Sequence, residues 1–245
     1  MPGHLLILGS TGACGQLLVE TLLDIPHSKS PNFPPGSWHT PNPALPTLTL
    51  YLRTPSKLPT TFSTHPNVTL VEGTLTPADE AKLTSAMTGV SAVLSAIGPS
   101  VKEGPDTPIA EAYKVVLHAM RASGVKRLIA LGTPSITDEK DGFSLVYKAM
   151  VHGIALYAPN AYKDIVKVGE VIRGANEGVE SGKEIEWTIV RVPALTSSNN
   201  KEVVAGYIGD GKTGATLARA GFAAFVAGEL RAGEWIREAP LLTSA

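Results

Sequence analysis

Three glycines, Gly9, Gly12 and Gly15, follow an apolar run in the stretch LLILGSTGACG at residues 5–15. Glycines three apart, just after a buried strand, suit one piece of chemistry in particular. A diphosphate sits well on a helix N-terminus, where free N–H groups and the helix dipole meet its charge. Gly9 would permit the sharp exit from the strand, Gly12 the approach of backbone to phosphate, and Gly15 close packing of helix on strand. Thr11, Ala13 and Cys14 fill the same turn and are expected beside the phosphates. The spacing is GxxGxxG rather than GxGxxG, and a plain strand–turn–helix junction would also use these glycines. Cys14 stands where a helix N-terminus can favour a thiolate; the plainer account is a small side chain tolerated beside phosphates.

The second charge-bearing stretch is LYLRTPSKLP at residues 50–59. At the end of the second strand of a dinucleotide fold, an acidic residue meets a free 2′-hydroxyl and arginine meets a 2′-phosphate. Arg53 comes first after the strand here, with Ser56 and Lys57 behind it, and no Asp or Glu occurs between Asp24 and Glu72. Arginine grips a phosphate through paired, charge-assisted hydrogen bonds. The cofactor expected is therefore NADP(H), with NADPH preferred over NADH.

Other strand ends complete a candidate site, because ligands of open α/β sheets lie at the carboxyl ends of the strands. Ala96, Ile97 and Gly98 are small enough for close passage of the dinucleotide, and Thr74 and Leu75 in VEGTL fall near the adenine. In GTPSI at 132–136, Thr133 and Ser135 can face a nicotinamide and polarise a carbonyl, or merely bond the turn. Val192 and Pro193 follow the sixth strand and are expected to run past the nicotinamide. No metal site is expected: the six histidines lack ligand spacing, and the single cysteine cannot complete a thiolate site.

These residues need a parallel sheet to bring them together. The runs 4–8, 48–52, 68–72, 90–97, 125–132 and 185–192 read as buried strands, separated by helical segments. The clearest helix spans 106–124, with Asp106 or Thr107 as N-cap, Pro108 in the first turn and Gly124 as its stop. The fold class expected is α/β, a doubly wound parallel sheet of Rossmann type, as one domain over 1–245 with a short C-terminal substrate-side segment at 195–245. Residues 26–46 hold seven of the 19 prolines and read as an inserted loop, in which Phe33 and Trp38 are the side chains able to cover a ligand. The chain has 245 residues, 43% hydrophobic and 18% charged, with a net charge of -1. That balance argues against a nucleic-acid-binding surface. The apolar runs are too short for a membrane span or a secretory signal core, so a cytoplasmic protein without membrane contacts is expected.

Together GSTGACG, LRTPSKLP, VTLVEGTL, VSAVLSAIGPS, GVKRLIALGTPS and IEWTIVRVPAL resemble the atypical short-chain dehydrogenase/reductase superfamily. More narrowly, they resemble its NmrA-like and biliverdin-IXβ (flavin) reductase-like branch. Residues 206–230 resemble the tail that supplies a last strand and helix, while Thr74 stands where the branch usually carries an acid near the adenine. The resemblance implies a Tyr-x-x-x-Lys pair, yet no lysine here has a tyrosine four positions before it. Lys167 and Glu170 match the usual K-x-x-E, but Lys163 fills the tyrosine position. Tyr162 is one residue out of register, a rotation of roughly 100° on a helix. Lys167 is expected to hold the nicotinamide ribose, with Tyr162, solvent, or Thr133 and Ser135 supplying the proton. The implied activity is NADPH-dependent reduction of a small or medium, largely apolar carbonyl or conjugated substrate. Its pocket is expected between 135–165 and 195–225, where Tyr147, Tyr157 and Tyr162 can stack on a planar molecule. An isomerase or cyclase with NADP retained, and an NmrA-like dinucleotide-sensing regulator, stay open as alternatives. So does the choice between a monomer and a small homo-oligomer.

Overall fold

The leucine- and valine-rich runs form the strands of one eight-stranded sheet, ordered β3-β2-β1-β4-β5-β6-β10-β8. The computed structural model describes residues 3–24, 44–101 and 104–245. Residues 25–43, with Phe33 and Trp38, lie outside the described residues. The first half of the chain contains β1 (His4–Leu8), α1 (Ala13–Leu22), β2 (Thr47–Leu52), α2 (Thr60–Ser63), β3 (Val68–Glu72), α3 (Glu80–Ala86), β4 (Ala92–Ser95) and α4 (Pro108–Ser123). The second half adds β5 (Arg127–Gly132), α5 (Leu145–Tyr157), α6 (Pro159–Arg173), β6 (Glu186–Arg191), β7 (Ala194–Thr196), β8 (Val203–Gly206), β9 (Thr216–Ala218), α7 (Arg219–Ala232) and β10 (Leu241–Ser244). Every pairing in the large sheet is parallel except that of β10 with β8; β7 and β9 form a separate parallel pair.

Both faces of the sheet are covered, which is why its central strands are apolar without a break. Leu6 and Leu8 of β1 pack into the cluster that includes Leu83 of α3, Val116 of α4 and Ile165 of α6. Leu5 and Ile7, pointing the opposite way, join Leu18 of α1 and Phe222 of α7. All four are at most 2% exposed, and burial of each such side chain contributes roughly 1.5–3 kcal/mol. The strand order reverses between β1 and β4, which opens a crevice at their carboxyl ends.

Two local details depart from expectation. The N-terminus of α4 is not capped by Asp106 or Thr107: Thr107 is left-handed, with φ 47°, and makes no side-chain cap bond. The buried carboxylate of Asp164, reaching over from α6, takes that role. The C-terminal segment supplies β8 and β10 in addition to the expected last strand and helix, and extends the sheet beyond β6.

Candidate functional site

Gly9 turns the chain after β1 with φ +77°, and a Cβ there would lie 2.9 Å from the backbone of Ala96 and Ile97. At Gly15 a Cβ would fall 2.1 Å from the Gly9 carbonyl oxygen, so α1 rests directly on the turn. Gly12 is different. It is exposed, and a Cβ would meet only the Gly9 oxygen, at 3.5 Å. As N-cap of α1 it offers no side-chain bond, so the first-turn N–H groups remain for an outside acceptor. Room, exposure and unclaimed donors fit a diphosphate.

Two clefts run along the carboxyl ends of the strands and share Gly98. The first, of ≈ 490 Å³, is lined by Gly9 and Thr11 of the turn, Arg53 after β2, Thr74 and Leu75 after β3, and Ile97 after β4. None of the described residues lining it is acidic. Ser56 and Lys57 sit on an exposed turn just behind Arg53 and do not line it. The Tyr51 hydroxyl donates to the Thr74 carbonyl at 3.0 Å, and burial, aided by the Asp79 charge, pushes its pKa up to about 12. An acid five residues further on, Asp79, fixes Thr74 from outside the cleft lining. The Asp79 carboxylate accepts from both the Thr74 hydroxyl and the Thr74 N–H, each at 2.7 Å. Those two bonds, helped by Lys82, hold the Asp79 pKa at about 2.

The second cleft, of ≈ 380 Å³, brings together Gly12, Ala13 and Cys14 with Ala96, Thr133, Val192 and Pro193. The Thr133 Oγ1 accepts from the Ser135 N–H at 3.3 Å, which leaves its own hydroxyl hydrogen to donate elsewhere. Ser135 is buried and does not line the cleft. Burial raises the pKa of the Cys14 thiol, and the nearby charge of Arg219 only partly opposes this. The thiol is therefore a packing group at neutral pH.

A third cleft, of ≈ 500 Å³, begins at Pro134, next to Thr133, and lies against α5 and α6. Tyr147, Val151, Tyr162 and Ile208 form its apolar part, and Asp138, Asp141, Lys148 and His152 its polar part. Its Asp141 wall is held from beneath by Arg191, whose guanidinium is fully buried and donates to both carboxylate oxygens at 2.6 and 2.8 Å. Tyr147 is fixed by a bond from its hydroxyl to the Gly214 carbonyl. Tyr157 is 78% exposed and lies outside the cleft.

Lys167 stands apart from all three clefts. It is exposed on α6, donates to Glu170 at 2.7 Å, and lines a separate groove with Lys114 and Arg121. That hydrogen bond and the Glu170 charge raise its pKa. Lys163, one turn earlier, is also exposed, because the buried stripe of α6 runs through Ala161, Asp164, Ile165 and Val168. Arg219, Tyr51 and the α4 residues Pro108, Ile109 and Ala112 also line the dinucleotide-sized clefts, and sequence reasoning missed them. Arg219 opens α7 directly after β9, a position with no motif of its own.

The model of the NAD(P)H-binding family matches residues 46–232. The chain belongs to the NAD(P)H-binding family. Curated proteins offer no match. Solved structures of similar shape include a short-chain dehydrogenase/reductase from Veillonella parvula, 17% identical, with a TM-score of 0.74 over 100% of this chain and 95% of that one. A Rossmann-fold NAD(P)-binding family protein from Shigella flexneri is 19% identical, with a TM-score of 0.66 over 100% and 94% of the two chains. A candidate NADH-flavin reductase from Streptococcus pneumoniae is 16% identical, with a TM-score of 0.65 over 99% and 100%. At these identities the likeness shows the fold alone, a Rossmann sheet. This NAD(P)H-binding chain has no helix, among its described residues, long and apolar enough to cross a membrane.

Proposed function

We propose that this NAD(P)H-binding protein is an NADPH-dependent reductase of the cytoplasm. Its acceptor is a small or medium, largely apolar carbonyl or conjugated molecule. The observation that carries the reading is the order of the clefts: Arg53 stands in the first, Gly98 joins it to the second, and Thr133 of the second is followed by Pro134 of the third. Thr74, Leu75 and Ile97 would hold the adenosine half. Arg53 would grip the 2′-phosphate, and Gly9, Thr11, Gly12 and the first turn of α1 the diphosphate, with Arg219 of the second cleft adding charge. Ala96, Gly98, Thr133, Val192 and Pro193 would border the nicotinamide. When bound, the dinucleotide supplies two electrons as a hydride equivalent.

The chain's own contribution is placement and polarisation. Thr133 donates its free hydroxyl hydrogen toward an acceptor carbonyl, while Tyr147, Tyr162, Val151 and Ile208 enclose the apolar body. The proton that completes the reduction comes from solvent, since Lys167 lies elsewhere and Tyr162 lacks a cationic partner on its own face. That same lack favours one rival, a regulator that binds the dinucleotide without turning it over.

Titration of NADPH and NADH, in the parent and in Arg53→Ala, tests the proposal. NADPH is expected to bind at least about tenfold more tightly, roughly 1.4 kcal/mol, and the variant to lose that margin. Equal affinities in the parent protein would remove the cofactor assignment. A screen of planar carbonyls and conjugated acceptors for NADPH oxidation separates reductase from regulator.

A further inference from the structure

Helix α5 buries only one of its 13 residues, Tyr147, although its sequence LVYKAMVHGIALY is mostly apolar. Leu145, Val146, Leu156 and Tyr157 are 71, 62, 72 and 78% exposed. With Ala149 and Gly153, they share the face turned away from the sheet, at the i, i+4 and i+3 spacings of one helix side. Phe143, just before the helix, and Ile154 extend the patch. Lys148 and His152 line the wall of the third cleft, and the Lys148 ammonium lies 4.7 Å from the centroid of the Phe143 ring, at the edge of the patch.

We infer that α5 is the contact face of a homodimer, packed antiparallel against α5 of a second copy across a two-fold axis near Val151. The outward face is self-complementary about that point, with bulky residues at both ends and small ones between. In an antiparallel pair Leu145 meets Leu156 of the partner subunit, and Val146 meets Tyr157 of the partner subunit. Ala149 and Gly153 fall where the helix axes cross, and small side chains let the backbones approach. No close approach among the described residues requires glycine at position 153. A Cβ there would meet nothing within 4 Å, and glycine inside a helix costs about 1 kcal/mol relative to alanine.

The area is sufficient. At about 150–200 Å² for each fully exposed large side chain, the six apolar residues leave on the order of 700 Å² open, close to the ~800 Å² per partner of a standard interface. So large an apolar patch marks an interaction site. A lipid surface fits less well, because an interfacial helix carries bulky residues along the whole apolar face. Here the centre of the face is alanine and glycine. Because the other side of α5 lines the third cleft, pairing would also brace that wall.

Sedimentation and light scattering of the full chain test the inference. The parent is expected to be a dimer at micromolar concentration. Leu156→Glu is expected to weaken association at least about 100-fold, because the two-fold axis sets a buried charge against Leu145 at both ends of the contact. Its circular dichroism and melting temperature should match the parent, since Leu156 is exposed. The double variant L145E/L156K, which sets opposite charges face to face across the axis, is expected to restore the dimer. A parent that stays monomeric, or a dimer that Leu156→Glu leaves intact, would overturn the inference. So would a monomer that floats with phosphatidylserine vesicles, which would assign the face to lipid.

Discussion

The buried carboxylate of Asp164 accepts hydrogen bonds from the Ile109 and Ala110 N–H groups, both at 2.9 Å. One side chain of α6 thereby ties down the start of α4, where Pro108, Ile109 and Ala112 line the cleft of Arg53. Loss of both charge-assisted bonds in Asp164→Ala is expected to cost about 2–3 kcal/mol in urea unfolding. Dinucleotide affinity should fall as well, because the first turn of α4 loses its anchor. Unchanged stability would mean that solvent satisfies those N–H groups.

The glycines are expected to separate into two kinds. Gly15→Ala forces a Cβ against the Gly9 carbonyl and should destabilise the fold by roughly 1–3 kcal/mol or more. Gly12→Val brings its Cβ only to ordinary contact with the Gly9 oxygen, and the variant should unfold near the parental midpoint while losing dinucleotide binding. Thermal melts alongside cofactor titration distinguish the two; equal destabilisation would contradict the difference in room.

Kinetics should divide the hydroxyl and amine candidates by position. Thr133→Val is expected to lower turnover about 10–100-fold with cofactor affinity retained, as loss of a single neutral donor to a developing oxyanion would. Lys167→Ala, remote from the clefts, should change neither turnover nor NADPH affinity by more than about twofold, the loss of one exposed ion pair being small. Tyr162→Phe should cost less than the roughly 10²-fold typical of a lost general acid. A large loss for Tyr162→Phe at unchanged cofactor affinity would return the proton to that tyrosine.

Acid stability should report Asp79. Its pKa falls from 3.8 to about 2 because the folded chain bonds the ionised carboxylate through Thr74. A depressed carboxyl stabilises the fold at pH values above its unfolded pKa, and that contribution is lost as pH falls through the folded value. Between neutral pH and about pH 4 the Asp79 contribution is therefore constant, and it declines from there toward about pH 2. Asp79→Asn should remove this part of the acid-induced loss in urea midpoints and leave the rest of the pH profile in place. A variant with the parental acid limb would show that Asp79 does not contribute.

The doubly wound sheet, the glycine turn and the cation after β2 were legible in the residues themselves. Buried parallel strands are continuous apolar runs, and a positive φ or a 2.1 Å approach to backbone requires glycine at Gly9 or Gly15, so local chemistry suffices. Helix α5 was not legible, because a helix apolar on nearly all sides has no 3.6-residue alternation to detect. β8 and β10, four residues each, are too short for periodicity and are held by pairing with one another and, through β10, with β6. Only the tertiary structure decided what Lys167 and Asp164 do. They lie three residues apart on one helix, and its rotation is set by what α4 and the sheet can bury. Packing turns Asp164 inward to cap α4 and turns Lys167 out to Glu170. Arg219 and Thr133 share a cleft for the same kind of reason: 86 residues of chain must close before the start of α7 faces the end of β5, and spacing in the sequence does not encode that closure.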